Sequence, residues 1–123
     1  MDLRARTTLR AAVTAPAQAR AFARATCAEA CATDHLDDVT LVVSELVTNA
    51  VLHATGDVRL DVFVDTSAVR VEVGDDFPVL APPHPAAPEG ESGRGLLLVS
   101  RIALRWGVRR DGLGKVVWAD LQN

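Results

Sequence analysis

The sequence predicts an α+β fold, a two-layer sandwich in which a mostly antiparallel sheet carries helices on one face. Its predicted strands cluster in hairpins instead of alternating singly with helices, an order typical of this class. Two segments, 14–31 and 34–54, have apolar residues at helical spacing. The 123 residues, 49% of them hydrophobic and 24% charged, are enough for a single domain spanning 1–123 with its own core.

The first half of the chain is predicted to form a strand and two helices. Residues 3–13 mix Arg, Thr, Leu and Val, which is compatible with an edge strand. Thr14 is a suitable N-cap, and Pro16 fits the first turn of a helix that extends to about Cys31. Asp34 could cap the second helix, whose first turn carries two further aspartates, where the helix dipole favours negative charge.

Two predicted hairpins complete the sheet. Apolar residues alternate with other residues over 58–64 and again over 69–74, with a turn at 65–67 between them. At the end of the chain, strands over 105–110 and 115–121 flank a glycine-containing turn.

A proline-rich segment, 77–92, separates the two hairpins. Its five prolines exclude a regular element, and a loop of this length in a small domain is usually functional or disordered. The glycine-rich residues 92–95 (SGRG) then lead into an apolar helix predicted from Leu96 to about Leu104.

Composition excludes several classes of protein. The net charge of −3 gives no basic surface for nucleic acid, and Lys115 is the single lysine. No apolar run reaches membrane-spanning length, and the first residues lack a signal peptide. The two cysteines provide no disulfide framework and suit a reducing cytosol, so we expect a cytoplasmic protein with no direct contact to nucleic acid or membrane.

Two polar residues interrupt the second helix. Glu45 and Asn49 are one turn apart, at the rim of its apolar stripe. An amide oxygen suits a hard cation, and a carboxylate can take a proton from water or a hydroxyl. The same two residues could instead simply meet solvent. His53, one further turn along, could hydrogen-bond at the edge of a cleft or be an ordinary surface histidine.

Asp75 follows the third predicted strand. The strand alternation places its side chain on the inward face at the strand end, where a carboxylate can accept a hydrogen bond from an exocyclic amine. It could instead be a turn residue, because Asp shortly before Pro is common in turns.

The SGRG segment could bind phosphate. Free N–H groups at a helix start bind anions, glycine allows close approach, and Arg94 adds a forked cationic donor. A flexible joint is the alternative. Cys27, Cys31 and His35 recur at four-residue intervals, but no fourth metal ligand is evident and buried cysteines are favoured.

The order of these signals resembles the GHKL ATPase superfamily, which includes gyrase and the histidine kinases. The segments SELVTNAVLHA, VEVGDDFP, SGRGLLLV and GKVVWADL are most similar to its small stand-alone branch, the anti-sigma-factor serine kinases and related actinobacterial regulatory ATP-binding proteins. The resemblance covers nearly the whole chain from about Thr14. It implies a Bergerat-type ATP-binding fold with ATP and Mg²⁺ as cofactors.

The resemblance also implies roles for individual residues. Asn49 would hold the Mg²⁺ that bridges the ATP phosphates, and Glu45 would be the general base. Asp75 would accept the adenine amino group, and residues 77–92 would form a lid over ATP. The other implied nucleotide contacts are His53, Gly93, Arg94, Gly95 and Leu96.

The chain departs from the superfamily at three places, one of which is the short, proline-rich lid. Phe77-Pro78 replaces the glycines that usually follow the base-binding aspartate, and Val116 or Val117 stands where a threonine is common. We therefore weigh three functions. They are a serine/threonine kinase acting on a small anti-sigma antagonist and binding a sigma factor, a non-catalytic nucleotide-gated binding module, and a scaffold that has lost nucleotide binding. Relatives often dimerise, so a homodimer is possible.

Overall fold

The computed structural model describes residues 1–30, 34–53, 56–75, 90–112 and 114–123, and for 90–95 it describes the backbone alone. The elements in chain order are β1 (Asp2–Leu9), α1 (Ala15–Ala30), α2 (Leu36–His53), β2 (Val58–Val64), β3 (Ala68–Asp75), α3 (Gly90–Ile102), β4 (Arg105–Asp111) and β5 (Gly114–Gln122).

The strands form one sheet in the order β1-β2-β3-β5-β4, and all its pairings are antiparallel. β1 is an edge strand, and β2–β3 and β4–β5 are the two hairpins. The predicted α+β sandwich is confirmed. Because β5 inserts between β3 and β4, the start of β5 lies beside the end of β3, where Asp75 pairs with Lys115.

The core lies between the helices and one face of the sheet. Alternate residues of β2, β3 and β5 point into it, and they are fully or almost fully buried. α2 contributes its apolar stripe, in which Leu46 is 1% exposed; burying a side chain of this size contributes about 1.5–3 kcal/mol. α1 presents small residues at every fourth position, so it packs closely against α2. These are Ala15, Ala19, Ala23 and Cys27.

The helix starts agree with the sequence analysis in one case and correct it in another. The carbonyl of Thr14 accepts a hydrogen bond from the N–H of Gln18 at 3.1 Å, so Thr14 is the N-cap of α1, as predicted. In α2 the carbonyl of His35 accepts the bond from Val39 at 3.0 Å. His35, and not Asp34, is therefore the N-cap of α2.

Turn chemistry fixes both hairpins. The carboxylate of Asp65 accepts hydrogen bonds from the N–H groups of Ser67 and Ala68, each at 2.8 Å, and these bonds lower the pKa of Asp65. In the second hairpin Gly112 has a φ of 63°, a left-handed conformation that glycine adopts without a steric penalty.

The uncovered face of the sheet carries ion pairs. Asp120 is 1% exposed and receives two hydrogen bonds from the guanidinium of Arg70, at 2.6 and 2.8 Å, and a third from Arg105 at 3.1 Å. The bonds from Arg70 hold the pKa of Asp120 below its usual value. The Arg70 guanidinium also lies 4.5 Å from the ring centre of Trp118. Gly107 faces that indole so closely that an added Cβ would be 2.9 Å from it.

Candidate functional site

One side of α2 carries the predicted polar residues. The opposite side packs on α1, where Arg20 donates a 2.8 Å hydrogen bond to the hydroxyl of Ser44. At 100° per residue, Asn49 lies about 140° and His53 about 180° round the helix from Ser44. Both therefore point away from α1. α2 also packs against α3.

Asn49 is the buried polar residue of this side of α2. It is 8% exposed, and its Oδ1 is buried without a hydrogen-bond donor among the residues that the structure describes. Leaving such an acceptor unpaired costs about 1–3 kcal/mol, so a native chain retains it only when something else repays the cost. A hard cation is a chemically suitable partner for an amide oxygen. The site thus fits Mg²⁺ on the residue that the sequence predicted.

Glu45 and His53 flank Asn49 at the turns before and after it. Glu45 is half-buried and His53 is exposed. The three residues form one ascending row on the helix, with the carboxylate nearer its middle and the imidazole at its carboxyl end. A group bound to Asn49 would therefore lie within reach of the Glu45 carboxylate.

Topology brings the end of α2 to the same edge of the sheet as the end of β3. α2 ends at His53 and β2 begins at Val58, and the next residue, Arg59, pairs with Gly74. Asp75 follows Gly74 directly. The carboxyl-terminal turn of α2 and Asp75 thus lie at one end of the sandwich, although they are far apart in the sequence.

The side chain of Asp75 lies on the helix-covered face, as the alternation predicted. It is 0% exposed and accepts a 2.9 Å hydrogen bond from the ammonium of Lys115, which is 8% exposed. The two residues are directly opposite each other on β3 and β5. A buried carboxylate at this position places a hydrogen-bond acceptor at the end of the sheet, beside a cation.

Sequence reasoning missed Lys115. The sequence analysis singled out Val116 and Val117 in the closing strand, and the register places their neighbour Lys115 opposite Asp75. The signal was present in the sequence. Lys115 is two residues before Val117 and so shares its face, which the strand alternation would have shown.

The length of α3 allows its amino end to reach this same edge. The carboxyl end is fixed at the far edge, where Leu104 donates a 2.8 Å hydrogen bond to the carbonyl of Asp120. The 13 residues of α3 extend about 20 Å, and the five steps of β5 from Lys115 to Asp120 extend about 17 Å. The helix is therefore long enough to reach back to the Asp75 end.

α3 starts earlier than predicted. It begins at Gly90 instead of near Leu96, because the last proline precedes it and the packing of Leu96 and Val99 outweighs the helix cost of its glycines. In α1 the fourth helical residue, Gln18, already donates its N–H to the N-cap carbonyl. By the same count the free N–H groups among the helical residues of α3 are those of 90–92, and Gly93, Arg94 and Gly95 follow them. Leu96 packs its side chain into the core. Phosphate contact by these residues stays a prediction.

The remaining predictions of the sequence analysis have mixed outcomes. The lid prediction falls on residues 77–89, which lie outside the described part, while 90–92 belong to α3. Cys27 is buried, as expected, and Cys31 is outside the described residues. Among the described residues no cluster of His, Cys, Asp and Glu could hold a metal ion. No described helix combines the length and apolar character needed to span a membrane.

A cavity of about 440 Å³ opens at the same end of the sheet but toward its uncovered face. Arg59, Gly74, Asp57 and Asp111 line it together with Asp75. Glu45 and Asn49 do not contribute to it, so it is distinct from the side on which the predicted residues lie.

A family model described as a histidine kinase-like ATPase domain matches residues 9–121. The matched range contains every predicted site residue and all elements from α1 to β4, with most of β5. No curated protein matches the chain.

Proposed function

Because the chain belongs to the histidine kinase-like ATPase domain family, we propose that it is an ATP-dependent regulatory serine/threonine kinase of the anti-sigma-factor type. Its substrate would be a small anti-sigma antagonist protein, and it would bind a sigma factor in its other state. Family membership implies ATP binding; the kinase activity, the protein partners, a homodimeric assembly and a cytoplasmic location are the proposed part.

The observation that carries the proposal is the buried amide of Asn49. Its Oδ1 lacks a donor among the described residues, and it lies one turn before the end of α2, at the end of the sandwich where Asp75 ends β3. An amide oxygen kept in this state is suited to a cation that arrives with a ligand. Mg²⁺ held there would offset the negative charge of the ATP phosphates during transfer.

The other residues have separate roles in this proposal. Glu45, one turn from Asn49 and half-buried, would accept the proton of the attacking serine hydroxyl. The carboxylate of Asp75 would accept a hydrogen bond from the adenine amino group. The first turn of α3 would donate free N–H groups to phosphate, and Gly93, directly after them, would allow the phosphate to approach closely. In-line phosphoryl transfer needs mainly positioning, a metal and a base, and these residues can supply them.

The first experiment measures the melting temperature with and without millimolar Mg·ATP. A ligand bound only by the folded state stabilises that state, by about 2.7 kcal/mol at a concentration 100 times Kd, and so raises Tm. A positive shift that requires both Mg²⁺ and ATP supports the proposal. An unchanged Tm favours the scaffold that has lost nucleotide binding.

The second experiment separates a kinase from a nucleotide-gated binding module. Glu45→Gln keeps the size of the side chain and removes the base, so we expect the Mg·ATP shift in Tm to persist. Transfer of labelled γ-phosphate to a purified anti-sigma antagonist should fall by 100-fold or more. The matched control is Glu29→Gln, at an exposed position on α1. Equal transfer by both variants would remove Glu45 from the mechanism, and no transfer by the wild type would favour the binding module.

A further inference from the structure

The uncovered face of the sheet carries a layer of arginines above a layer of carboxylates. Its ion pairs among the described residues join five arginines to four carboxylates. Asp61, Glu72 and Asp120 have side chains that are only 1–7% exposed, and Asp111 is exposed at the end of β4. The arginine side chains are 30–72% exposed, and we call them together the arginine face: Arg6, Arg59, Arg70, Arg105 and Arg109. The described side chains of this face therefore present mainly positive charge to solvent, although the chain has a net charge of −3.

The arginine face extends across the whole sheet. Arg6 lies on β1, Arg59 on β2, Arg70 on β3, and Arg105 and Arg109 lie on β4. Four strand spacings of about 4.8 Å separate β1 from β4, so the face is about 19 Å wide. A surface of this width can contact one partner at several points at once.

The buried carboxylates hold guanidinium groups in fixed positions. Arg6 donates two hydrogen bonds to Asp61, at 2.8 and 3.0 Å, and Arg70 donates two to Asp120, at 2.6 and 2.8 Å. A forked pair of this kind orders a long side chain in advance, so less rotamer freedom is lost when a partner binds. Burying carboxylates also carries a desolvation cost that a face serving only solubility would avoid.

Half-buried aromatic side chains lie among the arginines. Phe63 is directly opposite Arg70 on the neighbouring strand, and the Arg70 guanidinium lies 4.5 Å from the ring centre of Trp118. Arginine and aromatic residues are the types enriched at the centres of protein–protein interfaces. The composition of this face therefore favours a contact surface for another protein.

The charge balance argues against a nucleic acid as the partner. Nucleic-acid affinity depends on several uncompensated positive charges that release counterions, whereas the five arginines here are offset by four carboxylates. Base stacking needs an accessible aromatic ring, and the ring of Trp118 is covered by Arg70 and packs closely against Gly107.

Charge complementarity also decides between two kinds of protein partner. A second copy of this chain, docked symmetrically through the same face, would bring arginines against arginines, and like charges in contact are unfavourable. A surface that carries carboxylates can instead pair with the exposed guanidinium groups at short range.

We propose that the arginine face is a docking surface for a protein partner whose contacting surface is rich in aspartate and glutamate. Carboxylates of the partner pair with the exposed guanidinium groups, which the buried carboxylates beneath already hold in place. This inference goes beyond the proposed function and does not depend on it, because the arginine face lies on the side of the sheet away from the helices.

The test measures the binding of fluorescent probes to the full chain by anisotropy at low ionic strength. The acidic probe is a peptide of about 12 residues in which glutamate alternates with serine, long enough when extended to cross the face. The comparison probes are the same peptide with glutamine for glutamate, and an oligothymidylate of equal length. We expect the acidic peptide to bind at least about tenfold more tightly than either, and its Kd to rise with salt.

A double variant assigns the binding to the arginine face. In Arg6→Gln/Arg105→Gln the Kd of the acidic peptide should rise about 2- to 30-fold, the range for loss of two exposed ion pairs. The buried carboxylates keep a cation in this variant, because Arg59 lies 3.4 Å from Asp61 and Arg70 still binds Asp120.

The matched control is Arg24→Gln/Arg101→Gln. It makes the same change in net charge at exposed positions on α1 and α3, so the Kd of the acidic peptide should stay at its wild-type value. If the double variant of the arginine face does not fold, the single variant Arg105→Gln, at the most exposed of the five arginines, decides in its place.

Several outcomes would overturn the inference. They are no binding of the acidic peptide by the wild type, an equal Kd for the face variant and the control, and binding of oligothymidylate as tight as that of the acidic peptide. Sedimentation of a wild-type dimer that dissociates in the face variant but not in the control would make this face a self-association surface instead. Absence of Mg·ATP binding would refute the proposed function and leave this inference intact.

Discussion

Replacement of Asn49 by leucine should stabilise the nucleotide-free protein and abolish its response to Mg·ATP. The buried Oδ1 of Asn49 lacks a donor among the described residues, and such an acceptor costs about 1–3 kcal/mol. Leucine has a similar volume and no polar atom. For a chain of this length each kcal/mol changes Tm by roughly 4 °C, so the ligand-free variant should melt about 4–12 °C above the wild type.

The same substitution should remove the ligand effect. At 100 times Kd, binding to the folded state adds about 2.7 kcal/mol, or roughly 10 °C of Tm, to the wild type. Asn49→Leu should show a shift of less than about 2 °C under the same conditions, since no amide oxygen is left to hold the cation. Differential scanning fluorimetry at matched Mg·ATP concentrations measures both quantities.

This prediction has one control variant and two outcomes that would contradict it. Thr48→Leu places the same side chain on the neighbouring, exposed position of α2, so it should retain the full Mg·ATP shift. If ligand-free Asn49→Leu melts well below the wild type, the amide is structurally satisfied and the reasoning from its burial is wrong. If the Mg·ATP shift survives in that variant, Asn49 does not bind the metal.

Two further predictions concern the uncovered sheet face. Asp120→Asn should lose about 2 kcal/mol at pH 7, because Arg70 and Arg105 lose their carboxylate partner. Since the pKa of Asp120 is lowered in the folded state, the folded wild type binds fewer protons than the unfolded chain. The stability advantage of the wild type over the variant should therefore disappear as the pH falls below 3.8 and through the folded pKa. Urea titrations across pH measure this difference, and a difference that stays constant would contradict the prediction. Gly107→Ala should cost about 1–3 kcal/mol and alter tryptophan fluorescence, because its Cβ would press on Trp118; an unchanged emission spectrum and Tm would refute that contact.

Much of the fold was predictable because its signals are local. The alternation of apolar residues over 58–64 and 69–74 predicted both strands of the first hairpin. The apolar stripe of α2 predicted the position of that helix in the chain. The start of α3 was not predictable from propensity. Three glycines argued for a loop over residues that the structure places in the helix, where core packing further along outweighs their cost.

The candidate site, like the fold, was predictable where the signals are local and not where they depend on distant residues. Asn49 and Asp75 were singled out by their positions in a helix and a strand, but their site roles came from the family resemblance and stay predictions. Both side chains are buried. The ion pair of Asp75 with Lys115 depends on β5 inserting beside β3, a pairing between residues 40 positions apart that no local pattern encodes. The cap of α2 was assigned one residue too early, because aspartate is the stronger N-cap residue by preference alone.

The most direct test of the account is an NMR titration of the labelled protein with Mg·ATP. The account predicts that backbone amide shifts change at one end of the sandwich, at Asn49, Asp75, Lys115 and the first turn of α3. The opposite end, at Ala68 and Gln122, should remain unchanged. Shift changes confined to that opposite end or to the uncovered face, or none at millimolar nucleotide, would contradict it.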